Sequence, residues 1–242
     1  MASDQARGAQ GTGDEAALPD LSIDADADEP LASLVYRELR EAICDSRLVP
    51  NQRLVQNALA DHLGLSRTPV RDALLRLSQE GLVRALPWRG GFTVSPFTVR
   101  EVLDIYDVRL PLEVLAVREA AGRHTAVELA RLREMNQRIA EGAGQLTQQY
   151  QLNQELHAAM VAPSDNAVLK RMLKQLWSMP SSLRMYYVQV AAGEPSQEMV
   201  AQHATIIDAL ESGDVEAAAG RLQQHLEAAK RQAVELLNRP AH

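Results

Sequence analysis

Residues 63–84 read LGLSRTPVRDALLRLSQEGLVR, and this stretch decides the fold of the N-terminal part of the chain. Gly64 is a natural left-handed stop for the short helical pattern LVQNALADHLG that precedes it. Ser66 then stands at a helix N-cap position, and Pro69 falls in the first turn, where a missing N–H does no harm. Val70, Leu74, Leu75 and Leu77 follow at helical spacing and give that helix a buried face. Ser66, Arg67, Thr68 and Arg71 crowd its beginning on another side, which a core does not explain. Helix, glycine turn and capped helix together make a helix-turn-helix.

Working outward, PLASLVYRELREAI supplies an earlier helix with Leu34, Val35, Leu39 and Ile43 on one stripe. After Gly81, LVRALPWRGGFTVSP offers two β-leaning runs around WRGG, the pattern of a hairpin wing. In a winged helix-turn-helix the start of the second helix enters the major groove of double-stranded DNA. Ser66 and Thr68 suit phosphates or base edges. Arg67 and Arg71, four residues apart, share a face, and either can fork onto guanine. Arg89, with Gly90 and Gly91 at the wing tip, is placed to reach the minor groove.

A net charge of −7 taken over the whole chain argues against nucleic acid, but it is unevenly spread. Residues 1–30 carry one Arg against eight acidic residues, and residues 31–98 carry nine Arg against six. A basic module thus stands behind an acidic tail. The tail is rich in Gly, Ala and Asp, and is expected to be disordered. A single cysteine, Cys44, excludes an intrachain disulfide. No long apolar run or N-terminal signal appears, which leads to the expectation of a cytoplasmic protein without membrane segments.

Residues 99–242 read as helices almost throughout. REVLDIYDVRLPLEVLAVREAAG is a long helix with Pro111 inside it, where a kink is expected. Further patterns cover about 125–141, 145–161, 165–191, 196–211 and 214–237, with Pro180 interrupting the third. The fold class is therefore mostly α: a winged helix-turn-helix over 31–98, then an all-helical bundle of six or seven helices over 99–242. Asn153 and His157 are four apart on one helical face. His203 and His225 sit mid-helix among Ile206, Ile207, Leu210, Leu222 and Leu226. One histidine on an apolar face is ordinarily a hydrogen-bonded core residue. Three on helices able to pack together, with one oxygen donor, suit Zn²⁺, Ni²⁺ or Mn²⁺.

The stretch LVPNQRLVQNALADHLGLSRTPVRDALLRLSQEGLVRALPWRGGFTVSP resembles the winged helix-turn-helix of GntR-type bacterial regulators of the FadR-like branch. The resemblance implies a homodimeric transcriptional regulator, habitually a repressor, whose helical FCD-type domain binds a small organic acid. It implies DNA contacts at Ser66, Arg67, Thr68, Arg71 and the wing, and a metal held by Asn153, His157, His203 and His225. Asn153 departs from the usual Asp, which lowers the expected metal affinity. Asn51 stands where the family has Gly, and Gln56-Asn57 replaces a common Glu-Arg pair. Arg109, in DVRLPLE, matches a position that often faces the effector, and Arg184, Tyr186 and Tyr187 in SLRMYYV are candidate cavity residues. An enzyme using the three-histidine metal to activate water is the competing class, but no motif supplies its general base. A metal sensor is a third reading, weakened by the neutral Asn153.

Overall fold

The structure, a computed structural model, describes residues 17–24, 28–87, 90–142, 146–191 and 197–238. The chain divides into two compact units, 1–96 and 97–242.

The first unit runs α1 (Leu31–Cys44), β1 (Arg53–Leu54), α2 (Gln56–Leu63), α3 (Arg67–Gln79), β2 (Val83–Ala85) and β3 (Phe92–Val94). The wing is the expected β2–β3 hairpin, with Arg84 opposite Thr93. A third strand, β1, which the sequence reading did not include, pairs with the other edge of β3. Gly64 ends α2 in the left-handed conformation (φ 66°), and the Leu65 N–H closes back on Ala60 C=O. Asn51 also has φ 66°, a conformation that Asn tolerates better than other side chains, so the loop keeps its shape without Gly. Ser66 has the extended backbone of an N-cap, but its side chain makes no capping hydrogen bond, contrary to expectation. Val35, Leu39, Ile43, Leu59, Val70, Leu74, Leu77 and Val94 form the core.

The acidic tail departs from the expected disorder over 17–24; residues 1–16 and 25–27 lie outside the described residues. Leu21 is only 4% exposed within the core of this unit, flanked by Leu18 and Ile23. Its N–H donates to His62 Nε2 at 3.4 Å, and Arg47 donates to the Asp20 carbonyl at 3.0 Å. Three apolar side chains with a surface to cover outweigh the polar composition around them. Leu21→Ala is expected to destabilise this unit by about 2–3 kcal/mol, the cost of emptying a buried leucine site. Urea unfolding measures it, and an unchanged midpoint would show that this segment does not hold this place.

The second unit contains α4 (Val99–Ala120), α5 (Ala126–Glu141), α6 (Leu146–Met160), α7 (Ala167–Trp177), α8 (Pro180–Ala191), α9 (Gln197–Ser212) and α10 (Val215–Leu237). These are seven helices among the described residues. Thr98 with Glu101, and Thr125 with Glu128, form capping boxes that start α4 and α5. α4 continues through Pro111. Pro180 begins α8, so the 165–191 stretch is two helices. α10 packs along α4 and α9, and α5 packs on α6 and α9. Their shared core includes Val102, Tyr106, Val117, Leu132, Leu156, Leu173, Ile206, Leu210 and Leu222.

Candidate functional site

Two surfaces carry the chemistry. In the first unit, α3 buries Val70, Ala73, Leu74 and Leu77 and leaves Ser66, Arg67, Thr68 and Arg71 exposed. Elsewhere in the unit, Arg37 pairs with Glu29 and Arg47 with Glu38 and Asp45. Arg40 and Arg76 both pair with Glu80, and Arg76 also stacks on Tyr36 at 3.6 Å. Arg67 and Arg71 take part in no ion pair or hydrogen bond among the described residues. With Ser66 not capping, the first N–H groups of α3 also lack a side-chain acceptor. Gly91 has a reason inside the fold: at φ 90°, an added Cβ would meet the Leu54 carbonyl at 2.7 Å. Gly90 is exposed and its carbonyl lies 3.5 Å from an Arg53 nitrogen, while Arg89 lies outside the described residues.

In the second unit the structure brings His157, His203 and His225 together, all buried, with one ring nitrogen of each within 4.8 Å of the others. The opposite nitrogens are all engaged. His157 Nδ1 bonds Glu113 Oε2 at 2.9 Å, His203 Nδ1 bonds Asn136 Oδ1 at 3.2 Å, and His225 Nδ1 bonds Gln202 Oε1 at 2.8 Å. Asn136 and Gln202 are oriented as acceptors because their amide nitrogens donate to the Val200 carbonyl and to Glu198. An oxygen acceptor on each Nδ1 favours the Nδ1–H tautomer, so in the neutral form each Nε2 carries a lone pair. Two of these lone pairs face each other, with His203 Nε2 and His225 Nε2 only 3.3 Å apart. Burial, and then the neighbouring histidines, hold His203 and His225 well below the usual imidazole range. Three ring nitrogens converging in this way could hold a divalent cation.

The fourth expected donor, Asn153, lines the same cavity as His157 and His225. Asn153, one turn before His157 on α6, has a buried Oδ1 with no hydrogen-bond partner, and His157 Nε2 is likewise without one. Orphaned buried acceptors of this kind cost on the order of 1–3 kcal/mol each unless something meets them. Both residues line a cavity of about 240 Å³ together with Arg109, Tyr106, Tyr186, Gln189 and Gln232.

Arg109 is buried, not a surface charge, and among the described residues is the only Arg or Lys lining the cavity. It gives its Nε to Glu113 Oε1 at 2.8 Å, leaving its two terminal nitrogens without a partner among the described residues. The Tyr186 hydroxyl is also buried and unpartnered, and burial pushes its pKa up to about 12, which keeps it a donor. Arg184 and Tyr187 do not line the cavity, contrary to expectation. On α8 the lining positions are Ser182, Met185, Tyr186 and Gln189, one helical face, and Arg184 instead stacks over Phe97 at 5.0 Å.

Glu113, Trp177, Asn136 and Gln202 are site residues that the sequence reading missed. Glu113 had a signal: it shares with Arg109 the stripe Val102, Tyr106, Arg109, Glu113, Val117, whose other members are apolar. Burial would raise its carboxyl, but the Arg109 charge and the hydrogen bonds from His157 and Trp177 hold it well below the usual carboxylate range.

A winged helix-turn-helix joined to a helical domain of this kind defines a DNA-binding transcriptional regulator. Residues 31–92 match the model of the gntR family of bacterial regulatory proteins, and residues 104–228 match the FCD domain. The transcriptional regulator McbR of Escherichia coli is 31% identical over 185 residues, covering 75% of this chain and 83% of McbR. The transcriptional repressor RspR of the same organism is 26% identical, covering 82% of this chain and 87% of RspR. The solved structure of E. coli McbR/YncC superposes with a TM-score of 0.65 at 27% identity, over 87% of this chain and all of that one. The chain belongs to the GntR family, in the branch that carries an FCD domain. Its relatives are regulators, not enzymes, which sets aside the hydrolytic reading. No helix among the described residues is long and apolar enough to cross a membrane.

Proposed function

We propose that this protein is a repressor that binds operator DNA as a homodimer and responds to a small carboxylic acid held at a divalent metal in the α4–α10 cavity. The observation that carries the reading is the buried, unpartnered pair of Asn153 Oδ1 and His157 Nε2, beside the facing Nε2 atoms of His203 and His225. These four would hold Zn²⁺, Ni²⁺ or Mn²⁺, which when bound supplies positive charge and open positions for an acid oxygen. Arg109 then orients the acid: its two free terminal nitrogens form the fork that a carboxylate accepts. The Tyr186 hydroxyl donates a further hydrogen bond. The cavity is smaller than the ~300–1,000 Å³ of drug-sized sites, which supports a compact metabolite.

Contact with DNA is assigned to Ser66, Arg67, Thr68 and Arg71, with Arg89, Gly90 and Gly91 at the wing. One winged helix reads few base pairs, so two copies on two half-sites are the economical solution. Repression follows the relatives that carry that name.

Elemental analysis tests the metal directly. Protein dialysed against Zn²⁺, Ni²⁺ or Mn²⁺ and then freed of excess is expected to retain about one equivalent per chain. Retention of none would remove the metal from the reading. A thermal-shift screen of organic acids on the loaded protein then finds the acid, because a ligand bound at 100 times its Kd adds about 2.7 kcal/mol to stability. Arg109→Gln is expected to abolish the shift given by the acid that scores.

A further inference from the structure

One buried carboxylate joins the two groups to which the proposed function assigns metal and acid. Glu113 Oε1 accepts from Arg109 Nε at 2.8 Å and from Trp177 Nε1 at 2.9 Å, while Oε2 accepts from His157 Nδ1 at 2.9 Å. The Glu113 side chain is fully buried and that of His157 is 2% exposed, so water does not screen these contacts. Resting on the metal reading above, the geometry points to Glu113 as the positioning residue that couples the histidine cluster to Arg109, so that a divalent ion on the cluster is felt at Arg109 and at Trp177.

The coupling has a definite sign. A cation at His157 Nε2 draws density from the ring and makes Nδ1–H a stronger donor. The Glu113 charge is then drawn toward Oε2, and its hold on Arg109 at Oε1 weakens. The guanidinium becomes more available to an incoming anion. Conversely, Arg109 competes with His157 for the same carboxylate and lowers what His157 receives from it. Asn153 brings no charge to the ligand set. Among the described residues, Glu113 is the only carboxylate hydrogen-bonded to a ring of the cluster, since His203 and His225 rest on amides. The charge that an Asp would place on the ion therefore stands one hydrogen bond away.

The full chain carrying Trp88→Phe keeps Trp177 as its single tryptophan. Zn²⁺ alone is titrated into it and followed by Trp177 emission and by calorimetry. Emission is expected to shift and saturate with the calorimetric isotherm. Glu113→Gln is expected to weaken Zn²⁺ about 10–100-fold, the usual cost of losing such an outer partner, and to remove the shift. Arg109→Gln should tighten Zn²⁺ several-fold, and most of that gain should vanish in the double variant. Glu113→Gln alone leaves the Arg109 charge buried without its counter-charge. If it does not fold, the double variant, which removes both charges, decides by its Zn²⁺ affinity relative to Arg109→Gln.

A role in packing alone would weaken Zn²⁺ in both single variants alike, and that result overturns the coupling. So does a gain from Arg109→Gln that persists undiminished without Glu113. If the parent protein binds Zn²⁺ and Glu113→Gln binds it as tightly, the coupling falls and the metal reading stands. If the parent binds no Zn²⁺, both fall together.

Discussion

Operator binding is expected to collapse when Arg67 and Arg71 are both replaced by Ala, by roughly 2–6 kcal/mol if each reads a base at ~1–3 kcal/mol. The expectation rests on what these two arginines do not do. Four other arginines of the first unit are committed within it: Arg37, Arg40, Arg47 and Arg76 sit in ion pairs, and Arg76 also covers Tyr36, while Arg84 on β2 of the wing is exposed. Arg67 and Arg71 lie exposed at the start of α3, four residues apart, with no partner among the described residues. Their removal should therefore leave the folded state intact and act on DNA alone. Arg76→Ala is the matching control, expected to lower stability through lost stacking on Tyr36 while leaving the operator preference unchanged. Single variants separate the kinds of contact. Loss of a base contact relaxes preference at one base pair. Loss of a phosphate contact weakens every sequence alike and lowers the salt slope by about one. Mobility-shift titrations at two salt concentrations read both, and operator affinity that survives the double variant would remove α3 from the DNA interface.

The winged helix was legible in sequence because its signals are local. Gly64 must be left-handed where α2 stops, Pro69 fits a first turn, and the apolar spacing of Val70, Leu74 and Leu77 sets which face is buried, although Leu75, read as part of that face, is 43% exposed. The bundle was legible for the same reason, through its helical patterns with turn-like breaks between them and through Pro180. What stayed hidden depends on distant partners. Leu21 looks like part of a solvated acidic tail until α1 and α2 offer it a place. β1 is two residues long and exists only because β3 has a free edge. In SLRMYYV the composition marks a cavity wall but not its phase, so Tyr186 faces the cavity while Arg184 and Tyr187 turn away. The histidine cluster was readable from Asn153 and His157 at one-turn spacing and from the apolar neighbours of His203 and His225. Glu113 was not, because its three partners come from α4, α6 and α7, and only the folded unit brings them to one carboxylate.

Asn153→Asp is expected to move metal and acid in opposite directions. The change is close to isosteric, and Asn153 Oδ1 is already buried with no partner in the cavity that His157 also lines, so the variant adds charge without adding volume. A carboxylate about 4 Å from a unit charge gains ~4 kcal/mol at an effective dielectric of 20, and desolvation takes back much of it. A net gain of about 1–3 kcal/mol, or roughly 5–150-fold tighter Zn²⁺, is the expected remainder. Without metal the same carboxylate is a buried charge that must be desolvated with no ion to meet it, so the chelated variant should melt below wild type. Added Zn²⁺ should then raise its melting temperature by more than it raises that of wild type. An acid held by Arg109 meets a centre with one more negative charge and should bind more weakly. Calorimetry with Zn²⁺, and melts with chelator and with metal, read each part separately. Zn²⁺ affinity left unchanged by the substitution would mean that Asn153 does not face the ion, leaving the three histidines to hold it alone.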